Sequence, residues 1–80
     1  MTPKNFSKAD FSKRLRELRE KNYLTQSEVA CMLNMERSTY TRYETQSSEP
    51  NISTLFLLAE IYNISIDFLV CRTNNPEPYK

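Results

Sequence analysis

Apolar residues recur along this chain at helical spacing and nowhere at strand spacing. Phe11, Leu15 and Leu18 follow one another at intervals of four and three, the repeat that lines one face of an α-helix. Ser7, with Asp10 three positions on, resembles a capping box in front of them, so a first helix is predicted over Lys8–Lys21. Thr25 and Glu28 make a stronger box, and Leu24 and Val29 stand at the two positions of a hydrophobic staple, which fixes the angle at which the chain starts a helix. A second helix is predicted over Gln26–Leu33. It stops at Asn34, the residue type after glycine that best tolerates the left-handed conformation ending many helices.

A third helix over Arg37–Glu44, with Glu36 at its cap position, is too polar for a core segment. Its inward-facing apolar groups are Tyr40 and Tyr43 alone, while Ser38, Thr41, Arg42 and Thr45 share the opposite face. The turn formers that follow, Thr45 to Pro50, predict a loop. Ile52–Tyr62 then carries Leu55, Leu58, Ala59 and Tyr62 on one stripe, which predicts a fourth helix buried on that side. Ser65 caps a short fifth helix, with Ile64 and Leu69 in staple positions and Asp67 near the positive end of the dipole. Asn74, Asn75, Pro76 and Pro78 end regular structure. No segment alternates apolar and polar residues as a strand would. The expectation is an all-α fold, a compact bundle of five helices, with an arm over 1–7, a domain over 8–71 and a tail over 72–80.

Composition narrows what such a bundle can do. Eighty residues, 39% hydrophobic and 26% charged, suit one globular core and no more. No apolar run approaches the roughly 18 to 20 residues of a membrane span, and the N-terminus lacks the apolar stretch of a signal peptide, so no membrane partner and a cytoplasmic location are expected. The chain has no glycine, which excludes phosphate-cradling loops that need close backbone approach. It has no histidine and no carboxylates paired across a cleft, so general acid–base catalysis has no machinery. Cys31 has neither a base nor a cation nearby in sequence; it and Cys71 are expected as reduced thiols. An enzyme, a metal site and a cofactor are all unexpected.

Charge is unevenly spread. The first 24 residues hold seven cations (Lys4, Lys8, Lys13, Arg14, Arg16, Arg19, Lys21) against Asp10, Glu17 and Glu20, in a chain whose total is +1. Such a bias can attract phosphate, but a charge run on a helix is more often a solvated face.

What remains is the pair of short helices joined by a turn, Thr25 to Glu44, an arrangement that lets the second helix protrude into a DNA major groove. A groove-reading helix needs an outer face that hydrogen-bonds base edges, with arginine able to bridge guanine O6 and N7. Arg37, Ser38, Thr41 and Arg42 meet that demand. Tyr40 and Tyr43 supply the bulk that holds a short helix on its scaffold.

At these residues the sequence resembles a known family. "LTQSEVA", "STYTRYE" and "LAEIYNISIDFL", at their separations within Phe11 to Val70, look like the phage Cro/repressor helix-turn-helix, or XRE, type with its lambda-repressor-like fold. The resemblance implies that Gln26 contacts phosphate at the start of the second helix, the plain alternative being an ordinary polar residue in a first turn. It implies that Arg37, Ser38, Thr41 and Arg42 face DNA, and that Arg19 pairs with Glu44 to join the first helix to the end of the third, fixing orientation more than adding stability.

Three departures from the family pattern stand out. Glu36 occupies the cap position where serine or threonine is usual; a carboxylate suits the helix dipole but repels phosphate unless it accepts from a cytosine amino group. The loop Thr45 to Asn51 lacks both the usual glycine near its start and any lysine or arginine, leaving phosphate anchoring to Ser47, Ser48 or backbone amides at the start of the fourth helix. Leu57 replaces a polar residue, and with Phe56 and Ile61 it makes the fourth helix apolar on nearly every side: Phe56 is expected in the core, and Leu57, Ile61 and Val70 at a dimer interface. The implied function is a DNA-binding regulator, a repressor, with double-stranded DNA and a second copy of itself as partners. The alternative is an interaction module or antitoxin that keeps the fold, binds DNA weakly and has a toxin as partner.

Overall fold

The computed structural model describes residues 5–78; Lys4, the rest of the predicted arm before residue 5, Tyr79 and Lys80 lie outside the described residues. Five α-helices form and, among the described residues, no strand: α1 Lys8–Lys21, α2 Gln26–Met32, α3 Arg37–Glu44, α4 Ile52–Tyr62 and α5 Ile66–Leu69. Only one boundary differs from the sequence expectation, with α2 ending at Met32 and Leu33 acting as its C-cap. α1 packs on α3 and α5, α2 on α3, and α4 on α5.

Side-chain caps start four of the helices. Ser7, Thr25, Asn51 and Ser65 each accept from a backbone N–H three residues on. The Thr25–Glu28 box is complete, with Thr25 N–H donating to the Glu28 carboxylate at 2.8 Å and Glu28 N–H to the Thr25 hydroxyl at 3.0 Å. At α1 only the Ser7 half forms, at 3.1 Å. The expected box is thus corrected to a simple cap: aspartate is one methylene shorter than the glutamate a box uses. α3 alone has no side-chain cap, since Glu36 makes no such bond.

Every helix ends in the same way, in a chain without glycine. Tyr23, Asn34, Gln46, Asn63 and Cys71 all adopt positive φ, between 53° and 68°. After each of them the next N–H returns to the carbonyl five residues back: Leu24 to Arg19, Met35 to Ala30, Ser47 to Arg42, Ile64 to Ala59 and Arg72 to Asp67, at 2.8 to 3.1 Å. This is the Schellman closure, which asks each residue to tolerate a conformation that costs a side-chain-bearing residue roughly 1–2 kcal/mol. Gln46, at φ 67°, lies near the start of the loop that lacks the family's usual glycine. Gln46→Gly is expected to raise stability by about 1 kcal/mol, the strain relieved less the entropy glycine adds to the unfolded chain. Urea unfolding checks it, and an unchanged or lower midpoint would contradict the strain.

One core joins the elements. Phe11, Leu15 and Leu18 of α1 meet Val29, Ala30 and Leu33, the inner tyrosines Tyr40 and Tyr43, and Leu58, Ile64 and Leu69, with Leu24, Leu55, Ile61 and Tyr62 packed partly buried against them. The expected inner stripe of α4 is therefore seen, but Phe56 is not part of it. It is 57% exposed, because Leu55, Leu58, Ala59 and Tyr62 already fill the inward arc and Phe56 points away from it. Leu57 is 42% exposed, and Ile52 and Ile66 are exposed as well. Ile61 and Val70 are only half-buried.

The basic bias of α1 is partly structural. Arg14 donates to the carbonyls of Phe68 and Thr73 at 2.8 and 3.0 Å and to Asn74 Oδ1 at 3.2 Å, with its guanidinium 4.1 Å from the centre of the Phe68 ring. Residues 72–78 are non-regular, yet they are held by this clamp and by a bond from Ser65 N–H to the Pro76 carbonyl at 3.2 Å. Lys8, Lys13, Arg16 and Lys21 remain exposed. No helix of the described residues is long and apolar enough to cross a membrane.

Candidate nucleic-acid interface

α3 is fixed from below. Tyr40 is fully buried and Tyr43 nearly so, their rings edge to face with centroids 6.2 Å apart, a favoured aromatic geometry. Buried Ser12 of α1 donates to the Tyr43 carbonyl at 2.6 Å, tying the C-terminal end of α3 to the scaffold. Nothing in the sequence pattern singled out Ser12, although its place beside Phe11 on the inner face of α1 was a usable signal.

Glu44 is the hub. Its carboxylate is buried, and Arg19 grips it with two parallel bonds, Nε to Oε2 at 2.7 Å and Nη2 to Oε1 at 3.1 Å. The pair implied by the family resemblance is therefore present and bidentate. The Tyr40 hydroxyl also donates to Oε2, and Gln26 Nε2 donates to Oε1 at 3.2 Å. Arg19 Nη1 donates to the Leu24 carbonyl at 3.0 Å, so one guanidinium ties α1 to both halves of the helix-turn-helix. Burial pushes the Glu44 carboxyl up, but bonds from Arg19, Tyr40 and Gln26 outweigh it and hold the group below the usual carboxylate value. Burial and the Glu44 bond both raise Tyr40 above its ordinary value. The sequence pattern did not reveal Tyr40 as a donor, though its i, i+4 spacing to Glu44 on one helix was the available sign. Tyr62 lies near the same carboxylate, and burial, with a contribution from Glu44, pushes its phenol up to about 12. Its hydroxyl is buried with no hydrogen-bond partner among the described residues.

The outer face is free. Glu36, Arg37, Ser38 and Arg42 are exposed, and their side chains have no hydrogen-bond or ion-pair partner among the described residues. Thr41 and Gln26 differ from the rest of the predicted set, being half-buried and bonded to each other, with Thr41 Oγ1 3.1 Å from Gln26 Oε1. The fallback anchors in the following loop are partly committed internally. Ser47 and Ser48 N–H both donate to the Arg42 carbonyl at 2.9 and 3.3 Å, and the Ser47 hydroxyl lies 3.1 Å from that of Thr45. At the start of α4, Asn51 takes the Thr54 N–H at 2.9 Å.

A family model described as Helix-turn-helix matches residues 15–69. The chain belongs to the helix-turn-helix family of Cro/repressor type. Among curated relatives, it is 34% identical over 68 residues to the uncharacterized HTH-type transcriptional regulator YobD of Bacillus subtilis, covering 85% of this chain and 61% of YobD. It is 36% identical over 72 residues to the cryptic phage CTXphi transcriptional repressor RstR of Vibrio cholerae, covering 88% of this chain and 65% of RstR. Among solved structures, a transcriptional regulator from Listeria innocua superposes with a TM-score of 0.74 at 31% identity, over 76% of this chain and 57% of that one. The P22 c2 repressor in complex with a synthetic operator superposes with a TM-score of 0.71 at 25% identity, over 75% of this chain and 91% of that one. The chain spans about three-fifths of the length of the first curated relatives it matches. The lambda-repressor-like, all-α fold expected from the sequence is the fold observed.

Proposed function

We propose that this chain is a sequence-specific DNA-binding transcriptional regulator, a repressor, that reads the major groove with α3. One observation carries the reading: a helix anchored by Tyr40, Tyr43 and Glu44 holds the side chains of Glu36, Arg37, Ser38 and Arg42 outward with no partner among the described residues, in a fold shared with a repressor whose structure contains operator. Arg37 and Arg42 supply forks for guanine edges, Ser38 and Thr41 hydroxyls reach neighbouring bases, Glu36 accepts from a cytosine amino group, and Gln26 meets a phosphate at the edge of the groove. The relatives are regulators, which favours this reading over the antitoxin alternative. The setting is the cytoplasm, where such a regulator meets DNA.

Sites enriched from a random duplex pool test it. A groove reader with several phosphate contacts should lose orders of magnitude in affinity for its enriched site between about 50 and 200 mM salt. Failure to enrich any sequence, with binding that ignores salt, would refute the reading.

One such module contacts too few bases to be selective alone, so the regulator acts as a homodimer on a pseudo-palindrome. Exposed Ile52, Phe56, Leu57 and Ile66 on α4 and α5 provide the apolar face for it, while half-buried Ile61 and Val70 contribute less than the sequence suggested. A two-fold axis there sets two copies of α3 about 34–36 Å apart, one turn of DNA. Leu57→Lys should leave the helical signal intact while weakening both self-association and DNA affinity. Sedimentation of the wild type as a monomer at tens of micromolar, half-sites present, would remove this interface.

A further inference from the structure

Thr41 stands at the end of a run of hydrogen bonds whose direction is set deep in the protein. Arg19 occupies both oxygens of Glu44, and the carboxylate it holds ionised can only accept. The Gln26 group lying 3.2 Å from Glu44 Oε1 must therefore be the amide nitrogen, since an amide oxygen there would face a second acceptor. That orientation turns Gln26 Oε1 toward Thr41. An amide oxygen also only accepts, so at 3.1 Å the Thr41 hydroxyl has to donate. A hydroxyl has one proton and two lone pairs. Its proton is committed to Gln26, and only acceptor capacity is left for anything outside.

We propose that Thr41 is a specificity-determining residue restricted to accepting, so that it selects an adenine or cytosine amino group and disfavours guanine or thymine on the strand it faces. The proposal rests on α3 entering the major groove as above. There the amino groups of adenine N6 and cytosine N4 are the donors, while guanine O6 and N7 and thymine O4 are acceptors. A free threonine hydroxyl would satisfy either kind by rotating. This one cannot rotate without breaking its bond to Gln26, and Gln26 cannot turn without leaving Glu44. The same bookkeeping leaves Gln26 one amide proton for a phosphate oxygen. Specificity at one base pair is thus set by Arg19, a residue on α1 whose guanidinium is bonded inside the protein.

Sites enriched by the wild type, compared with those of Thr41→Val, identify the pair whose preference depends on the hydroxyl. In that pair the exocyclic amino group is then deleted in one duplex and the exocyclic keto oxygen in another, using base analogues. Amino deletion should weaken wild-type binding about five- to a hundred-fold, the usual range for one mismatched pair, with keto deletion changing it less than about two-fold. Thr41→Val should respond to neither. Gln26→Ala frees the Thr41 proton; it should bind more weakly everywhere and accept the inverted base pair within about two-fold of the selected one, which a merely structural loss would not produce. Greater sensitivity to keto deletion, unchanged preferences in Thr41→Val, or retained orientation in Gln26→Ala would each overturn the proposal while leaving groove reading intact. No enriched site for the wild type would overturn groove reading, and the proposal with it.

Discussion

Glu44→Ala is expected to remove about 3 to 5 kcal/mol of stability, the range for breaking a buried ion pair by taking away one partner. The geometry selects that range over the small value of a surface pair. The Arg19 and Glu44 side chains are 14% and 2% exposed, whereas Arg72 and Asp67, at 73% and 60%, make an exposed pair of the kind that contributes about 0 to 1 kcal/mol. The truncation also strands the Tyr40 hydroxyl and one end of Gln26, which both donate to the lost carboxylate. An 80-residue domain has roughly 4 to 12 kcal/mol in total, so the loss should take at least about a quarter of it. Denaturant unfolding followed by circular dichroism gives the value. A midpoint within error of the wild type would mean that the bidentate pair does not form in solution. Asp67→Ala serves as the control and should barely move the midpoint.

The same carboxylate sets a pH dependence. Glu44 is held below its ordinary value in the folded chain, so the unfolded chain binds the proton more readily. Its contribution is complete above the ordinary glutamate value of about 4.3 and is lost as pH falls through the lower folded value. Acid unfolding of the wild type should therefore show a carboxylate-linked loss below about pH 4 that Glu44→Gln no longer shows.

Much of the fold was legible because the helix starts carry explicit chemistry. Thr25 with Glu28 and Ser65 each precede an apolar series at helical spacing and cap as their types dictate, whereas the Asn51 cap of α4 went unread in the sequence. Helix ends were harder. Asn34 was readable as a left-handed stop, but Tyr23, Gln46 and Cys71 take the same conformation without any residue preference for it; the Schellman closure and the packing after it override the local cost. Phe56 misled for a related reason, since side-chain type says only that burial is favourable and not that room remains on the inner arc. At the candidate site, the exposed Arg37 and Arg42 were visible as polar residues on one helix face. The Arg19–Glu44 pair was legible from the family resemblance, and Tyr40 lies at i, i+4 to Glu44 on one helix, but no periodicity within one element can reveal that Gln26 of α2 bridges Glu44 and Thr41 of α3.

Arg37→Ala and Arg42→Ala should each cost about 1 to 3 kcal/mol of specific DNA affinity, and relax selectivity at one position, while leaving stability within about 0.5 kcal/mol of the wild type. The two effects separate because neither side chain helps hold the fold: both are exposed, and neither bonds to a described residue. α3 stays anchored through Tyr40, Tyr43 and Glu44 on its other face. Base contact and phosphate contact predict different signatures for the loss. An arginine that forks onto guanine O6 and N7 loses affinity chiefly for its preferred base pair, whereas one that meets a phosphate weakens all sequences alike and lowers the salt slope by about one. The wild type and both variants, titrated against the enriched site and its single-pair variants at two salt concentrations, yield both quantities together. Equal affinity of both variants and the wild type for the enriched site would show that α3 is not the reading helix, whatever the fold resembles.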